Sequence, residues 1–360
     1  MRCHLVYSIP TLGTTIYNKI KRRVISSLQE IHLPLSGIGN RQSFPLHLFS
    51  ISSPGSVAKN IYQGFSSRMP TYLYHLHEKV RIRFEPDDIF FGHPYFPYAN
   101  GQKGVTELSI SQKSRPRIFA LISPLHCNTG VNTGHINKLY LDAVNELVPQ
   151  ADILFAIMGE YWGDQWQASP YAHWLPKMVR LDMAIDPKDF PRVKTGFNPP
   201  GKRRFLFIGR NDPMKGIDLL TTLMSQGNFS GGWIGGGAEI PGIPRVSPPR
   251  VLTADFMQQI AEQFDFFITT GRADPNPTTI LESMAWGFPV ICTPQSGYYE
   301  TSYRRNVYYE DIPRSLEVLR ELQYAAEENL IRMAEEARVA MEKEYNWDKF
   351  LSTIFSTLGI

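Results

Sequence analysis

Cysteine is scarce. Cys3, Cys127 and Cys292 are the only three among 360 residues, and they are scattered. No CxxC or paired Cys/His spacing occurs, so neither a disulfide framework nor a zinc site is expected, and a reducing compartment fits. Long apolar runs are missing too, and none approaches the roughly 20 residues that span a bilayer. The opening "MRCHLVYSIPTLG" meets Pro10 and Gly13 before a signal-peptide core could form. Neither sign of charge is in excess. Lysine and arginine number 37 and acidic residues 34, and a net +3 does not imply nucleic acid by itself. Also absent are internal repeats, low-complexity tracts, an Asp-x-Asp pair and a GxGxxG fingerprint. These absences lead us to expect a soluble cytoplasmic protein with no nucleic-acid partner.

What is present is a chain able to fold. It is 42% hydrophobic and 20% charged, and long enough for two ordinary domains. The second half alternates short apolar runs with helical spacing. "RRFLFIGR" (203–210), "GGWIGGG" (231–237), "DFFITTG" (265–271) and "FPVICT" (288–293) read as strands, and "GIDLLTTLM" (216–224) and "PTTILESMAWG" (277–287) as helices. "RVLTADFMQQIAEQF" (250–264) reads as a short strand followed by a helix. Strands apolar on both faces, alternating with helices, predict a parallel, doubly wound, Rossmann-like sheet. The first half shows the same rhythm in "DDIFFGH" (87–93), "RPRIFALISPLH" (115–126) and "ADILFAIM" (151–158). "FPRVKTGFNPPGKRR" (190–204), rich in Pro, Gly and basic residues, reads as a linker. The closing helical stretch breaks near Tyr345-Asn346.

One stretch concentrates chemistry: "TTGRADPNPTTILESMAWGFPVICT" (269–293). Asn276 suits an N-cap and Pro277 the first helical position, which would leave the Thr278 and Thr279 N–H groups free for an anion such as a diphosphate. Glu282, four residues after Thr278, lies on the same helix face and could accept from vicinal ribose hydroxyls. Asp274 precedes the helix, where it could meet a sugar beyond the phosphates. Taken alone, the pattern equally describes a solvent-facing Glu282 and a turn Asp274. "IGRNDPMKG" (208–216) adds two cations, Arg210 and Lys215, at a strand end and a helix start, suited to a diphosphate and its developing charge. Gly235 and Gly236 permit close backbone approach, a weaker sign.

These motifs, in this order, resemble those of retaining glycosyltransferases of the GT-B fold, specifically glycosyltransferase family 4 (group 1). The family frame "EGFGxxxLEAMAxGxPVV" is matched by "DPNPTTILESMAWGFPVI", and "GRLxxxKG" by "GRNDPMKG". "LDMAIDPKDF" (181–190) is similar to the family's domain junction and "YNWDKF" (345–350) to its closing helix. The resemblance covers roughly residues 150–350, and the first 110 residues match in outline only. It implies an α/β protein of two Rossmann-like domains facing across a cleft. Residues 1–190 would form the acceptor domain and 191–344 the nucleotide-sugar domain, with helix 345–360 packing back on the first. It implies donor-diphosphate contacts for Arg210, Lys215, Thr278 and Thr279, ribose for Glu282, and the donor sugar for Asp274. Gly13 falls at the family's amino-terminal glycine loop, and His126 at its histidine near the transferred sugar. His93 is a weaker acceptor-side candidate, better read as structural. Two departures stand out. Asp274 replaces the usual Glu, and "PNPTT" replaces "GFGLV" with a stiffer loop.

The expected reaction is transfer of a sugar from a UDP- or GDP-sugar to an unknown glycan, lipid or small-molecule acceptor, with retention, no cofactor and no required metal. The alternatives are a non-catalytic sugar-nucleotide-binding protein and a sugar-nucleotide epimerase or hydrolase of the same architecture. A nicotinamide oxidoreductase is disfavoured by the missing fingerprint. The basic amphipathic segment 16–31, with Lys19, Lys21, Arg22 and Arg23, fits either a packed surface helix or peripheral contact with anionic lipid on the inner membrane face.

Overall fold

The structure, a computed structural model, describes residues 3–7, 57–69, 71–75, 87–92, 117–125, 145 and 147–360. The basic segment 16–31 and His93 lie outside the described residues. By internal contacts the described chain divides into two compact units. One holds residues up to Ser123, then Asn145 to Phe155, and Phe355–Ile360; the other holds Pro124, Leu125 and Ala156–Ile354.

The first sheet is six-stranded, in the order β2-β1-β3-β4-β5-β6. Its strands are β1 (Cys3–Tyr7), β2 (Thr71–His75), β3 (Ile89–Gly92), β4 (Ile118–Pro124), β5 (Ile153–Ile157) and β6 (Met178–Leu181). β1 pairs in parallel with β2 and β3, and β3 with β4. Phe90, Phe91, Leu121, Leu154 and Phe155 are buried, as strands covered on both faces require. Helix α1 (Val57–Ser66) supplies Phe65, whose ring centroid lies 5.2 Å from that of Phe91 and 5.1 Å from that of Phe355.

The second sheet is wholly parallel, in the order β12-β11-β10-β7-β8-β9. Its strands are β7 (Phe205–Ile208), β8 (Gly231–Ile234), β9 (Arg245–Ser247), β10 (Phe266–Thr269), β11 (Val290–Cys292) and β12 (Arg304–Asn306). The connecting and flanking helices are α2 (Gly159–Gln165), which precedes this sheet, α3 (Ile217–Gly227), α4 (Ala254–Gln263), α5 (Thr278–Trp286), α6 (Ile312–Tyr324), α7 (Glu327–Glu344) and α8 (Trp347–Leu358). Leu219, Leu223, Leu316 and Leu319 from α3 and α6 pack with Phe205, Phe207, Trp233 and Phe266 of the strands in one core. β9 sits upstream of the expected place. Pro248 and Pro249 end it, and 250–253 is instead an approach to α4, with Thr253 as the cap that accepts from Phe256 N. The break near Tyr345 is the join of α7 and α8. Among the described residues no helix is long and apolar enough to cross a membrane.

Residues 190–204 are pinned rather than slack. Lys194 and Asp265 form an ion pair at 3.1 Å, with side chains 2% and 0% exposed. Lys194 Nζ also donates to Ala261 O. Asp265 accepts from Asn198 N, Asn198 Nδ2 and Arg204 N. Arg203, also buried, donates to the carbonyls of Asn198, Leu322 and Ala325. A buried pair contributes only if the remaining hydrogen-bonding groups are satisfied, and here the carboxylate has four donors. Asp265→Ala strands the lysine charge and three further donors, so a loss of roughly 3–5 kcal/mol is expected. Lys194→Met leaves Asp265 its other donors and should cost less. Urea unfolding of both variants checks this ranking, and equal small losses would contradict it.

Candidate functional site

In the second sheet the chain starts at β7, runs outward through β8 and β9, then returns to β10 on the other side of β7. The carboxyl ends of β7 and β10 are thus a topological switch point, the place where parallel α/β sheets open a crevice. The two segments singled out in the sequence leave from these two strand ends.

After β7, Asp212 caps a short turn of helix, Pro213–Lys215, accepting from Met214 N at 2.9 Å. Gly216 then takes a left-handed conformation, φ 65°. A Cβ there would meet Thr270 O and the Tyr309 hydroxyl, each at 1.8 Å. Thr270 Oγ1 donates to Gly216 O at 2.8 Å, Tyr309 OH donates to Thr270 O at 2.5 Å, and Arg272 N donates to Met214 O at 2.9 Å. The turn after β7 is therefore stitched to the loop after β10. The stitching brings Lys215 Nζ onto the Asp274 carboxylate, both side chains one-fifth exposed.

Asp274 is braced from its own side by its N–H on Gln295 O at 3.4 Å. The carbonyl of Gln295 also accepts the Trp162 indole N–H of α2 at 2.9 Å. Thr293 Oγ1 donates to Gly271 O at 2.5 Å.

The expected helix cap is corrected. Asn276 does not cap α5; Pro277 occupies the cap position and no side chain caps the helix. Asn276 is buried at φ 56°, and its side chain turns away to Met183 N and Asp182. The amide is committed to that segment and cannot reach back to the helix. Ile280 N is taken by Pro277 O at 3.2 Å, and no side chain accepts from Thr278 N or Thr279 N. These two N–H groups stand at the positive end of the helix.

Glu282 is partly buried one turn in, and the Thr278 hydroxyl bonds its carboxylate. Burial pushes its pKa up, partly offset by that hydroxyl. Arg210 projects into solvent, its side chain 76% exposed, with Asp212 at 3.6 Å, and it does not join the Lys215–Asp274 pair. The glycines after β8 serve the chain itself. A Cβ on Gly235 would meet Gly209 O at 1.7 Å, and Gly236 O accepts from Asn211 N at 2.8 Å. Their close approach is thus to the turn after β7. Gly13 and His126 lie outside the described residues. Thr270, Tyr309, Gln295 and Asp182 all shape the site and were not foreseen. Thr270 and Asp182 sit inside stretches read from the sequence but act through partners distant in the chain, and Tyr309 and Gln295 lie outside those stretches. Among the described residues no group of three or more His, Cys, Asp or Glu could hold a metal ion.

Gly216→Ala forces a side chain into the Thr270 carbonyl in a backbone region that suits glycine, so a loss of about 2 kcal/mol or more is expected. Tyr309→Phe leaves the Thr270 carbonyl without that donor and should cost about 1–3 kcal/mol. Calorimetric melting of both variants decides this, and two unchanged melting points would contradict the stitching.

No family model matches the chain. A GDP-mannose-dependent alpha-mannosyltransferase from Mycobacterium tuberculosis (strain CDC 1551 / Oshkosh) is 26% identical over 136 residues, which cover 35% of this chain and 36% of that relative's length. Among solved structures, a sucrose-phosphate synthase from Thermosynechococcus elongatus superposes with TM-score 0.59 at 12% identity, covering 99% of this chain and 98% of that one. A glycosyltransferase from Rickettsia africae ESF-5 gives 0.54 at 11% identity, covering 99% and 97%. A TarM variant from S. aureus, in complex with Fondaparinux, alpha-GlcNAc-glycerol and UDP, gives 0.53 at 12% identity, covering 76% and 55%. At these identities the likeness is one of fold, and the chain has the α/β architecture with two parallel sheets of GT-B glycosyltransferase structures.

Proposed function

We propose that the chain is a glycosyltransferase that moves a sugar from a nucleoside-diphosphate donor to a hydroxyl acceptor, with retention at the anomeric carbon. The observation that carries this reading is the meeting of Lys215 and Asp274 at the ends of β7 and β10, beside a helix start without a side-chain cap. Support comes also from the relatives. The partial sequence relative is named for GDP-mannose, and one structural neighbour holds UDP.

The chemistry follows from the residues. The diphosphate would lie at the start of α5, with Thr278 N and Thr279 N donating to its oxygens and Lys215 balancing its charge. Glu282 would accept from the ribose hydroxyls. Asp274, beside the lysine, would accept from a hydroxyl of the transferred sugar. In transfer, the bond from the anomeric carbon to the phosphate oxygen breaks and a bond to the acceptor oxygen forms on the same face. The acceptor proton passes to the departing phosphate oxygen, while Lys215 and the helix start stabilise the negative charge that grows there.

A thermal-shift titration with UDP and GDP tests the reading. A ligand at a hundred times its Kd adds roughly 2.7 kcal/mol of stability. One nucleotide should raise the melting point of the wild type but not of Lys215→Ala. No shift with either nucleotide would overturn the reading. Asp274→Asn should separate binding from transfer. It frees Lys215 from its carboxylate and removes a negative charge beside the diphosphate, so nucleotide binds at least as tightly while sugar release from the donor slows. Equal losses in both would contradict the roles given.

The pH dependence has a definite sign. The raised pKa of Glu282 means that burial costs its charged form, so protonation on acidification relieves the free protein. Ribose binding needs the carboxylate and is lost as pH falls through that raised value. Nucleotide affinity should therefore fall on acidification at a pH higher than an ordinary glutamate would give, and Glu282→Gln should flatten that profile. An unchanged profile in Glu282→Gln would remove the residue from the site.

A further inference from the structure

Asn276 stands between Pro275 and Pro277, 1% exposed, at φ 56°. A residue before proline is pushed toward extended backbone, and outside glycine the left-handed region is entered mainly by Asn and Asp. Three hydrogen bonds hold it there. Its N–H donates to Ser296 O at 3.1 Å, its Oδ1 accepts from Met183 N at 2.5 Å, and its Nδ2 donates to Asp182 Oδ1 at 3.0 Å. Ser296 follows β11 and Asp182 follows β6, so one side chain and its own amide tie the loop before α5 to two separate segments. The loop so held carries Asp274 two residues upstream and Thr278 two residues downstream.

We infer that Asn276 is a positioning residue of the diphosphate site, whose tether to Asp182 and Met183 fixes the loop that sets Asp274 and the start of α5 opposite Lys215. This rests on the reading given under Proposed function. Asn276 touches no ligand in this account. It acts by keeping two groups in register and by withholding its own side chain from the helix start. A side chain that capped α5 instead would occupy an N–H that the phosphates need.

The test is an exchange of polarity across the tether, read as the Kd of UDP and of GDP by isothermal titration. Asn276→Asp sets a carboxylate against the Asp182 carboxylate and should weaken the nucleotide that binds by about tenfold, the scale of one lost hydrogen bond with its repulsion. Asp182→Asn keeps an acceptor for Asn276 Nδ2 and should stay within about threefold of wild type. The double variant Asp182→Asn with Asn276→Asp restores a donor facing an acceptor, and should recover affinity to within about threefold. Asn276→Gly tolerates the left-handed backbone, carries no new charge and loses both side-chain bonds. It covers the case in which Asn276→Asp fails to fold, and it too should bind about tenfold more weakly. Wild-type affinity in Asn276→Gly would overturn the inference. So would a double variant that regains the melting point but not the nucleotide, since the tether would then be structural only. A wild type that binds neither UDP nor GDP overturns the functional reading itself and this inference with it. Loss confined to the variants, without rescue, leaves that reading standing and removes Asn276 alone.

Discussion

The contact between Gly216 and Thr270 decides where Lys215 goes. The two loops leave neighbouring strands, β7 and β10, and nothing in the sheet itself obliges their side chains to meet. The left-handed turn at Gly216 lets its backbone lie against the Thr270 carbonyl, and Tyr309 closes the contact from α6's side of the chain with a hydroxyl on that same carbonyl. Once the backbones touch there, a lysine one residue before the glycine and an aspartate four residues after the threonine come together. The rest of the site is arranged around this junction. Its arrangement costs conformational freedom at a glycine and is repaid by hydrogen bonds whose partners would otherwise be buried and unmet.

Below the junction the sheet is held by burial and by one polar cluster. Its four inner strands, β7, β8, β10 and β11, are short, apolar and largely buried, and the bases of β7 and β10 are fastened by the Asp265 carboxylate. That carboxylate gathers Lys194, Asn198 and Arg204 at the amino end of the strand pair. The site therefore sits at the opposite end of the same two strands from a saturated buried ion pair. Polar groups at one end fix the strands; polar groups at the other are left partly open. Lys215 is one-fifth exposed with a single carboxylate partner, and the first N–H groups of α5 have no side-chain cap. Groups in that state gain most from an incoming anion, since little has to be undone apart from sharing the lysine.

Much of this was legible in the sequence, and the legible part has a common cause. β3, β4, β5, β7, β8, β10 and β11 are apolar runs bounded by turn residues, and such runs announce themselves. Lys215, Asp274, Thr278 and Glu282 lie within a few residues of strand ends or a helix start, so local rules place them. β6, β9 and β12 escaped because arginines interrupt them, Arg180 in β6, Arg245 in β9 and Arg304 and Arg305 in β12, so none shows a continuous apolar run. Residues 190–204 looked like a linker by composition, yet Lys194 and Arg203 are buried by partners at Asp265 and Leu322, which composition does not show. Asn276 was misread for a similar reason. Local chemistry makes Asn before Pro a helix cap, and a distant Met183 N–H outbid the helix for its oxygen. Gly235 was singled out for close backbone approach, and a Cβ there would meet Gly209 O, so the chain's own turn after β7 also requires a glycine at this position.

The measurement closest to the central claim is a crystal structure of the chain soaked with UDP and, separately, with GDP. The account predicts that one of them binds at the carboxyl ends of β7 and β10. Its phosphate oxygens would lie within hydrogen-bond distance of Thr278 N, Thr279 N and Lys215 Nζ, with Glu282 on the ribose. A nucleotide found elsewhere on the chain, or with its phosphates away from the start of α5 and Lys215, would contradict it.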